Sequence, residues 1–305
     1  MKKITKNDQP LVTVVIPVYN GASYLEEAVT SVLKSTYTNY EILLINDGSK
    51  DTSKALCKQL EKKYSNVHFR SFEKNRGLGR VLNFALKYAK GQFICRINQD
   101  DAMAPDRIQK QVTYMMTHPE VTLLGSWLNV IDTGTGETRI NKFLEKDEDI
   151  RKTWLMLSPV WDAAVMYRRK VALEVGGYDQ SYWPADDLHM WYRLGKAGKI
   201  ANIQEPLTTI KVHNGAASVK HHKVHVWATF KAHVFAHEYV QRAPLGTWLF
   251  WICQLVASRL FPANFNWMAY RILKNGFIYR PVFSQKTPTK QVPLLVKSKY
   301  GFYNW

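Results

Sequence analysis

The sequence predicts an α/β protein with a doubly wound, mostly parallel sheet, followed by a helical extension that is basic and rich in aromatic residues. Short apolar strand segments alternate with helical periodicities over about the first hundred residues, which is typical of consecutive βαβ units. The formal net charge is +17, and the segment from Lys220 to Trp305 contains 12 Lys or Arg residues against one acidic residue, Glu238. With 305 residues and a hydrophobic content of 46%, the chain can form one large domain and an appendage.

Four strands and the helices between them are predicted in the first third of the chain. The run LVTVVIPV at 11–18 is rich in β-branched residues and is typical of a buried strand. Apolar residues then recur at helical spacing up to Thr36. The short loops between the elements favour a parallel sheet with crossover helices. The other predicted strands are Tyr40–Ile45, Val67–Phe72 and Gln92–Ile97, and the later helices end near Tyr64 and Lys90.

Polar residues follow each of these strands. Because the carboxyl ends of parallel strands meet at one edge of a sheet, these residues are expected to line a common ligand site. One segment contains Asp100 and Asp101, whose carboxylate oxygens suit Mg²⁺ or Mn²⁺ bound together with substrate phosphates. Taken alone, the same pair is equally typical of a solvated surface turn. The four segments are Pro17–Asn20, Asn46–Ser49, Asn75–Asn83 and Asn98–Asp101.

The alternation of strands and helices changes after a helix predicted over Pro105–Thr117. The later predicted strands are Val121–Ile131, Ala163–Tyr167 and Ile200–Val212, and the helices are Lys146–Leu157, Arg169–Val175 and Asp186 to about Lys196. We therefore predict one domain over 1–219, with halves at about 11–101 and 102–219, and a helical region over 220–305.

The helical region contains a nearly uniform apolar segment, 244–262. It is shorter than the roughly 20 residues that span a bilayer, and Gln254 and Arg259 interrupt it. A buried, an interfacial and a re-entrant helix all remain open. The basic, aromatic composition predicts an anionic partner, either membrane lipid or nucleic acid. The three cysteines are widely spaced and indicate a reducing cytosol and no disulfide framework.

Several motifs resemble those of the family 2 glycosyltransferases (GT2), inverting enzymes with the GT-A fold. VTVVIPVYNGASYLEEAVTSVLKSTYTNYEILLINDGSKDTS resembles the family's amino-terminal signature, and RINQDDAMAPDRIQKQV resembles its metal-site segment. The motifs GGYD at 176–179, ADDLHMWYRL at 185–194 and IKVHNGAAS at 210–218 follow in the family order. The resemblance extends from Leu11 to Ser218 and identifies the chain as a member of the family. It implies a GT-A domain over 1–219, whose first half binds the donor and whose second half binds the acceptor.

The resemblance implies a nucleotide-sugar donor, most simply a UDP-sugar. Asp47 is expected to accept a hydrogen bond from the base, and Pro17 and Tyr19 to line the base and the ribose. Arg80 is expected to reach the diphosphate or the base. At Asn98 the chain departs from the family's Asp-X-Asp pattern, and the amide there is expected to bind ribose hydroxyls without adding charge.

The same resemblance implies a divalent cation, Mn²⁺ or Mg²⁺. Asp100 matches the carboxylate expected on the metal, and His213 matches a histidine near the donor phosphates and the metal. Asp101 is expected to orient its neighbours or to cap the following loop.

Asp187 matches the family's general base, which takes a proton from the acceptor hydroxyl. Because a helix N-terminus lowers the pKa of a carboxyl group, Asp187 is expected to be ionised at neutral pH. Asp186 is expected to support it on the acceptor side. Aromatic side chains nearby are expected to form a platform for the acceptor sugar, since aromatic faces pack on sugar C–H surfaces. They are Trp161, Tyr178 and Trp183.

The resulting hypothesis is a metal-dependent inverting glycosyltransferase that acts on a glycan or lipid-linked saccharide in surface polysaccharide assembly. It would be cytoplasmic, and the basic region over 220–305 would hold it on the anionic inner face of the membrane or against a second copy of the chain. Nucleic acid is the disfavoured partner. A processive polysaccharide synthase is one alternative, but the Gln-x-x-Arg-Trp segment of such enzymes is not evident. A non-catalytic sugar- or nucleic-acid-binding protein on the same fold is the other.

Overall fold

A computed structural model describes residues 9–212, 222–262 and Met268. His213, one of the two expected metal ligands, and most of the basic carboxyl-terminal segment lie outside the described residues. The helices are α1 (Ala22–Leu33), α2 (Ser53–Lys63), α3 (Leu78–Tyr88), α4 (Arg107–Thr117), α5 (Asp147–Thr153), α6 (Arg169–Glu174), α7 (Asp186–Ala197), α8 (His222–Tyr239) and α9 (Leu245–Leu260).

The first four strands form a parallel sheet, as predicted. They are β1 (Val12–Val18), β2 (Tyr40–Asp47), β3 (Val67–Phe72) and β4 (Phe93–Arg96), and their order in the sheet is β3-β2-β1-β4. The register sets Val18 opposite Asn46 and Asp47 opposite Phe72, so the polar segments that follow β1, β2 and β3 begin at nearly the same level. The polar segments that are predicted to form the ligand site therefore meet at the carboxyl ends of the parallel strands.

The second half of the sheet is mixed, with both parallel and antiparallel pairs. Its strands are β5 (Ala102–Met103), β6 (Val121–Asp132), β7 (Thr138–Asn141), β8 (Met166–Arg168) and β9 (Lys199–Val212). The sheet continues beyond β4 as β8-β6-β9-β5, with β8 antiparallel to both neighbours and β6 parallel to β9. The strand predicted over 163–167 is displaced, because Asp162–Ala164 forms a short 3-10 helix and pairing starts only at Met166.

Two hydrophobic clusters cover the two faces of the sheet. Helices α1, α2 and α4 pack on one face, for example through Val29 and Val112. On the other face α3 and α7 share a cluster with α8 and α9, to which Trp191, Ala232 and Trp251 contribute. The carboxyl-terminal helices therefore pack directly on the face of the domain that carries α7.

The position of α9 tests whether the apolar segment 244–262 is a buried helix, one of the three interpretations that the sequence leaves open. One side of this helix packs inward, and the Nε1 of the buried Trp251 donates to the Leu155 carbonyl oxygen at 2.6 Å. Its other side is exposed, so the buried-helix interpretation holds for one face only. None of the described helices combines the length and the apolar character needed to cross a membrane.

Candidate active site

Hydrogen bonds hold the segments after β1, β2 and β4 together. The Tyr19 amide donates to Gln99 Oε1 at 2.9 Å, and Gln99 Nε2 donates back to the Tyr19 carbonyl oxygen at 3.0 Å. The Asn20 amide donates to Ser49 Oγ at 3.0 Å. A Cβ atom at Gly21 would collide with the Gln99 carboxamide, so any larger residue there would displace this side chain. Sequence reasoning placed these segments together but did not identify Gln99 as the residue that joins them.

Asp47 lies buried at the end of β2 and binds the loop that precedes α3. Its Oδ1 accepts from the Arg76 amide at 2.7 Å and its Oδ2 from the Gly77 amide at 3.0 Å. Gly77 has a φ of 88°, a conformation that favours glycine. A carboxylate oxygen has two lone pairs, so each oxygen keeps capacity for a further donor. Asp47 is thus a structural anchor as well as the predicted base contact.

The other predicted donor residues are accessible at this edge. Pro17 is partly buried near the end of β1, and Tyr19 is exposed just after it. Arg80 is exposed in the first turn of α3, and its amide donates to the Gly77 carbonyl oxygen at 3.1 Å. Because Asp47 binds the Gly77 amide, the backbone that carries the Arg80 side chain is held in place close to Asp47.

A fully buried arginine at the end of β4 connects the two halves of the site. Arg96 Nη2 lies 2.6 Å from Asp162 Oδ2 in a salt bridge and donates to Asn98 Oδ1 at 3.2 Å. Its Nη1 donates to the Val15 carbonyl oxygen at 3.3 Å. Asn98 Nδ2 in turn donates to Asp101 Oδ2 at 3.0 Å. The Asn98 amide, expected to bind ribose, is therefore engaged in internal hydrogen bonds, one of which Asp101 accepts.

The segment with Asp100 and Asp101 fits a divalent cation that is bound jointly by the protein and by substrate phosphates. Asp100 is partly buried, while Asp101 is buried and its pKa is raised to about 7 by desolvation and by the neighbouring Asp100. Among the residues that the structure describes, no three His, Cys, Asp or Glu side chains are arranged to hold a metal by themselves. Mg²⁺ in particular is commonly bound through one or two carboxylates and completed by phosphate oxygens and water. The donor set at Asp100 matches that kind of site.

Asp186 and Asp187 open α7, as the sequence predicts. Asp187 Oδ1 accepts from the Leu188 amide at 2.7 Å. Asp186 is buried, and within the described residues its Oδ2 has no hydrogen-bond partner. This oxygen faces the start of α3, where a Cβ on Gly79 would be 2.5 Å away. A donor-half helix and the acceptor-half acids are therefore in direct contact.

The expectation that Asp187 has a lowered pKa is wrong. Desolvation raises the pKa of Asp187 well above its usual range, and the charges of Asp162 and Asp186 raise it further. Desolvation also raises the pKa of Asp186 to about 6. Burial and two like charges outweigh the helix N-terminus, whose effect is modest. In the free protein Asp187 therefore favours its protonated form near neutral pH.

Sequence reasoning missed Asp162 and its partner Arg96. Asp162 sits on the 3-10 helix beside the two acids of α7, and its salt bridge with Arg96 reaches the Asn98 segment. One signal was present, because Arg96 ends an otherwise apolar buried strand, and a buried arginine is rare unless a partner compensates its charge. The sequence did not indicate which carboxylate this is.

The predicted aromatic platform is only partly present. Trp161 and Trp183 are 38% and 42% exposed, so part of each side chain lies at the surface. Tyr178 is wrong as an acceptor contact, because it is 3% exposed and its hydroxyl lies 3.3 Å from that of Tyr167. The physical reason lies in Asn83, whose side chain accepts from the Tyr178 amide at 2.8 Å and donates to its carbonyl oxygen at 2.7 Å. This pair of bonds fixes the backbone where the ring packs inward.

Comparisons with known proteins agree with the fold and identify the family. The model of the family "Glycosyl transferase family 2" matches residues 13–176. An uncharacterized glycosyltransferase of Haemophilus influenzae is 30% identical over 226 residues, which cover 70% of this chain and 69% of that protein. The chain spans only 31% to 65% of the length of several Rickettsia relatives described as glycosyltransferases.

Two further proteins are similar over most of the chain. The Escherichia coli UDP-Gal:alpha-D-GlcNAc-diphosphoundecaprenol beta-1,3-galactosyltransferase is 25% identical over 281 residues, covering 90% of this chain and 98% of that enzyme. The crystal structure of residues 1–349 of Staphylococcus aureus TarS matches with a TM-score of 0.61 at 16% identity, covering 91% of this chain and 75% of that one. At this identity the TarS match supports the fold alone. The chain therefore belongs to glycosyl transferase family 2 and is a glycosyltransferase with the GT-A fold.

Proposed function

We propose that the protein transfers one sugar, with inversion, from a nucleotide diphosphate sugar to a hydroxyl of a lipid-linked saccharide in polysaccharide or oligosaccharide assembly. The observation that carries this proposal is the link between the two halves of the site. Asp162, whose charge acts on Asp187, is bonded through Arg96 to Asn98, two residues before Asp100. Hydrogen bonds thus run from Asp162 through Arg96 and Asn98 to Asp101, the neighbour of the proposed metal ligand, and the charge of Asp162 acts on the proposed base.

The donor is a UDP-sugar in this proposal, bound at the edge formed by the segments after β1, β2 and β4. Asp47 offers its remaining lone pairs to the ring N–H of the base, while Pro17 and Tyr19 flank the base and the ribose. Asn98 exchanges one internal hydrogen bond for a ribose hydroxyl, and Arg80 lies toward the diphosphate. The E. coli relative, whose name includes UDP-Gal, supports a uridine donor.

Asp100, together with His213 from outside the described residues, would hold Mn²⁺ or Mg²⁺. When bound, such an ion offsets the negative charge that develops on the leaving diphosphate. Asp101 stays buried behind Asp100 and fixes Asn98. In this proposal the segment with Asp100 and Asp101 assists departure of the diphosphate, while the acids of α7 act on the acceptor hydroxyl.

Asp187 is the general base in this mechanism. The acceptor oxygen forms a bond to the anomeric carbon on the face opposite the diphosphate, the bond to the diphosphate oxygen breaks, and the hydroxyl proton passes to the Asp187 carboxylate. A raised pKa makes Asp187 a stronger proton acceptor once it is ionised, and a base works best when its pKa lies near the operating pH. Trp161 and Trp183 offer exposed rings to the acceptor sugar.

A transfer assay tests the proposal. The purified chain is incubated with individual UDP-sugars, Mn²⁺ and a synthetic GlcNAc-diphospholipid, and the product is characterised by mass spectrometry and NMR. We expect one added sugar whose anomeric configuration is opposite to that in the donor. A product that retains the configuration would refute the inverting mechanism, and transfer that survives chelation of divalent ions would refute the metal requirement.

A further inference from the structure

Helix α9 has an exposed apolar face that the proposed reaction does not use. Five residues form this outer face, at spacings of 4, 3, 4 and 4 along the helix, and their side chains are between 48% and 77% exposed. Successive steps of three and four residues place side chains on one side of a helix. The only charged residue within α9 is Arg259. The outer face consists of Leu245, Leu249, Ile252, Val256 and Leu260.

The opposite side of α9 is rigidly attached to the catalytic domain. The buried Trp251 ring stacks on His233 of α8 with 5.0 Å between ring centroids and 5° between planes. His233 Nδ1 lies 2.7 Å from the hydroxyl of Tyr192 on α7, the helix that begins at the proposed base. Burial lowers the pKa of His233 to about 3, so this contact stays neutral at physiological pH. The orientation of the outer face is therefore fixed relative to the active site.

The charged residues that follow α8 in the sequence all have one sign. From Gln241 to the carboxyl terminus the sequence contains nine Lys or Arg residues and no Asp or Glu. Each copy in a self-associated pair would carry such a basic segment, and like charges on two partners oppose association. An anionic lipid surface has the complementary charge, and an apolar stripe beside basic residues is typical of interfacial helices.

We propose that the outer face of α9 is a membrane-contacting surface that inserts between the headgroups of a bilayer containing anionic lipid. The choice of a bilayer as the partner of this face rests in part on the proposed lipid-linked acceptor, whose reactive sugar would lie beside such a bilayer. The exposed face and its fixed orientation do not depend on that acceptor. Contact through this face would hold the acceptor-side residues of α7 next to the acceptor. The protein would then not have to meet the acceptor by diffusion in solution.

Vesicle co-sedimentation of the full chain tests the surface. We expect binding to vesicles of phosphatidylcholine mixed with phosphatidylglycerol and much weaker binding to phosphatidylcholine alone. The double variant Leu249→Glu/Val256→Glu should lower the binding constant by roughly tenfold or more, because two large apolar contacts with lipid are lost. Leu173→Glu, a matched change of an exposed leucine on α6, should bind like the wild type. Unchanged vesicle binding by the double variant would overturn the proposal.

Cys253 supplies a second measurement that needs no substitution. It is exposed on α9, whereas the other two cysteines of the chain, Cys57 and Cys95, are buried. An environment-sensitive fluorophore on Cys253 should shift its emission to the blue when anionic vesicles are added. A label that is already blue-shifted without vesicles would show that a second copy or residues 263–305 cover the face, and would overturn the proposal; light scattering distinguishes these two cases.

Activity assays separate this inference from the proposed function. With a water-soluble acceptor the double variant should transfer at the wild-type rate, and with the acceptor embedded in vesicles it should lose most of its activity. Absence of transfer to any acceptor by the wild type, with vesicle binding intact, would refute the proposed function and leave the membrane surface standing. Equal losses with soluble and embedded acceptors would show a folding or active-site effect and would count against the membrane role.

Discussion

The protein keeps buried carboxylates in two contrasting environments at one edge of its sheet. On the donor side both oxygens of Asp47 accept backbone amide hydrogens. On the acceptor side Asp186 Oδ2 lacks a partner within the described part of the chain, and Asp187 lies near the charges of Asp162 and Asp186. On the donor side the buried carboxylate has a hydrogen-bond partner for each oxygen, and these bonds fix the shape of the loop that it binds. The acceptor side holds carboxylates in an unfavourable environment, which raises their affinity for a proton.

The largest effect is expected from Asp187→Asn, which removes the proposed proton acceptor. The value of kcat should fall by about 10²- to 10⁴-fold, the range typical of a lost general base. Thermal stabilisation by UDP should persist, because the donor side is untouched. Asp47→Asn is the matched control on the donor side and should raise KM for the donor more than it lowers kcat. The contrast between the two sides would be lost if both variants changed the same kinetic constant.

Arg96→Met tests the link between the two sides. It leaves Asp162 without its partner, and breaking a buried ion pair on one side typically costs about 3–5 kcal/mol of unfolding free energy. The double variant Arg96→Met/Asp162→Asn should recover part of that loss, because no uncompensated charge remains. Denaturant unfolding measures both values. If the double variant were no more stable than Arg96→Met, the pair would not be coupled.

Asp186→Asn should make the free protein more stable at pH 8. The folded-state pKa of Asp186 is raised to about 6 from an ordinary value of 3.8, so ionising this group disfavours folding. Its contribution is favourable below the ordinary pKa and is lost as the pH rises through about 6. Replacing the carboxylate with an amide should therefore add about 3 kcal/mol to the unfolding free energy at pH 8 and little at pH 4. An equal change at both pH values would contradict the assignment.

The smallest effect is expected from Asp162→Asn on the pH profile of transfer. In the proposed mechanism the ionised form of Asp187 is the active one, so the rate is expected to rise with pH through the pKa of Asp187. Because the charge of Asp162 raises that pKa, its removal should move the acidic limb of the profile to lower pH, by about one unit or less. A limb that moved to higher pH, or stayed in place with the plateau rate reduced, would show that Asp162 does not act on the charge of Asp187.

The donor side can be predicted from the sequence far better than the acceptor side, for physical reasons. Polar residues that follow apolar runs locate the ends of parallel strands, so the pattern alone predicts Asp47 and Asn98 at one edge of the sheet. The pKa of Asp187 and the burial of Tyr178 depend on contacts between distant segments, such as those of Asp162 and Asn83. Local pattern does not encode such contacts. The antiparallel insertion of β8 escaped prediction for the same reason, since a strand of three residues has little periodicity.

The clamp between the ends of β1 and β4 has an evolutionary consequence. Gln99 bonds both backbone polar groups of Tyr19, and its carboxamide fills the space that a side chain at Gly21 would need. A substitution at position 21 would displace Gln99, and loss of Gln99 would remove the bonds while opening room at position 21. The two positions should therefore covary among close relatives, with larger residues at 21 accompanied by smaller ones at 99. A sequence family in which they vary independently would have to join these two strand ends in another way.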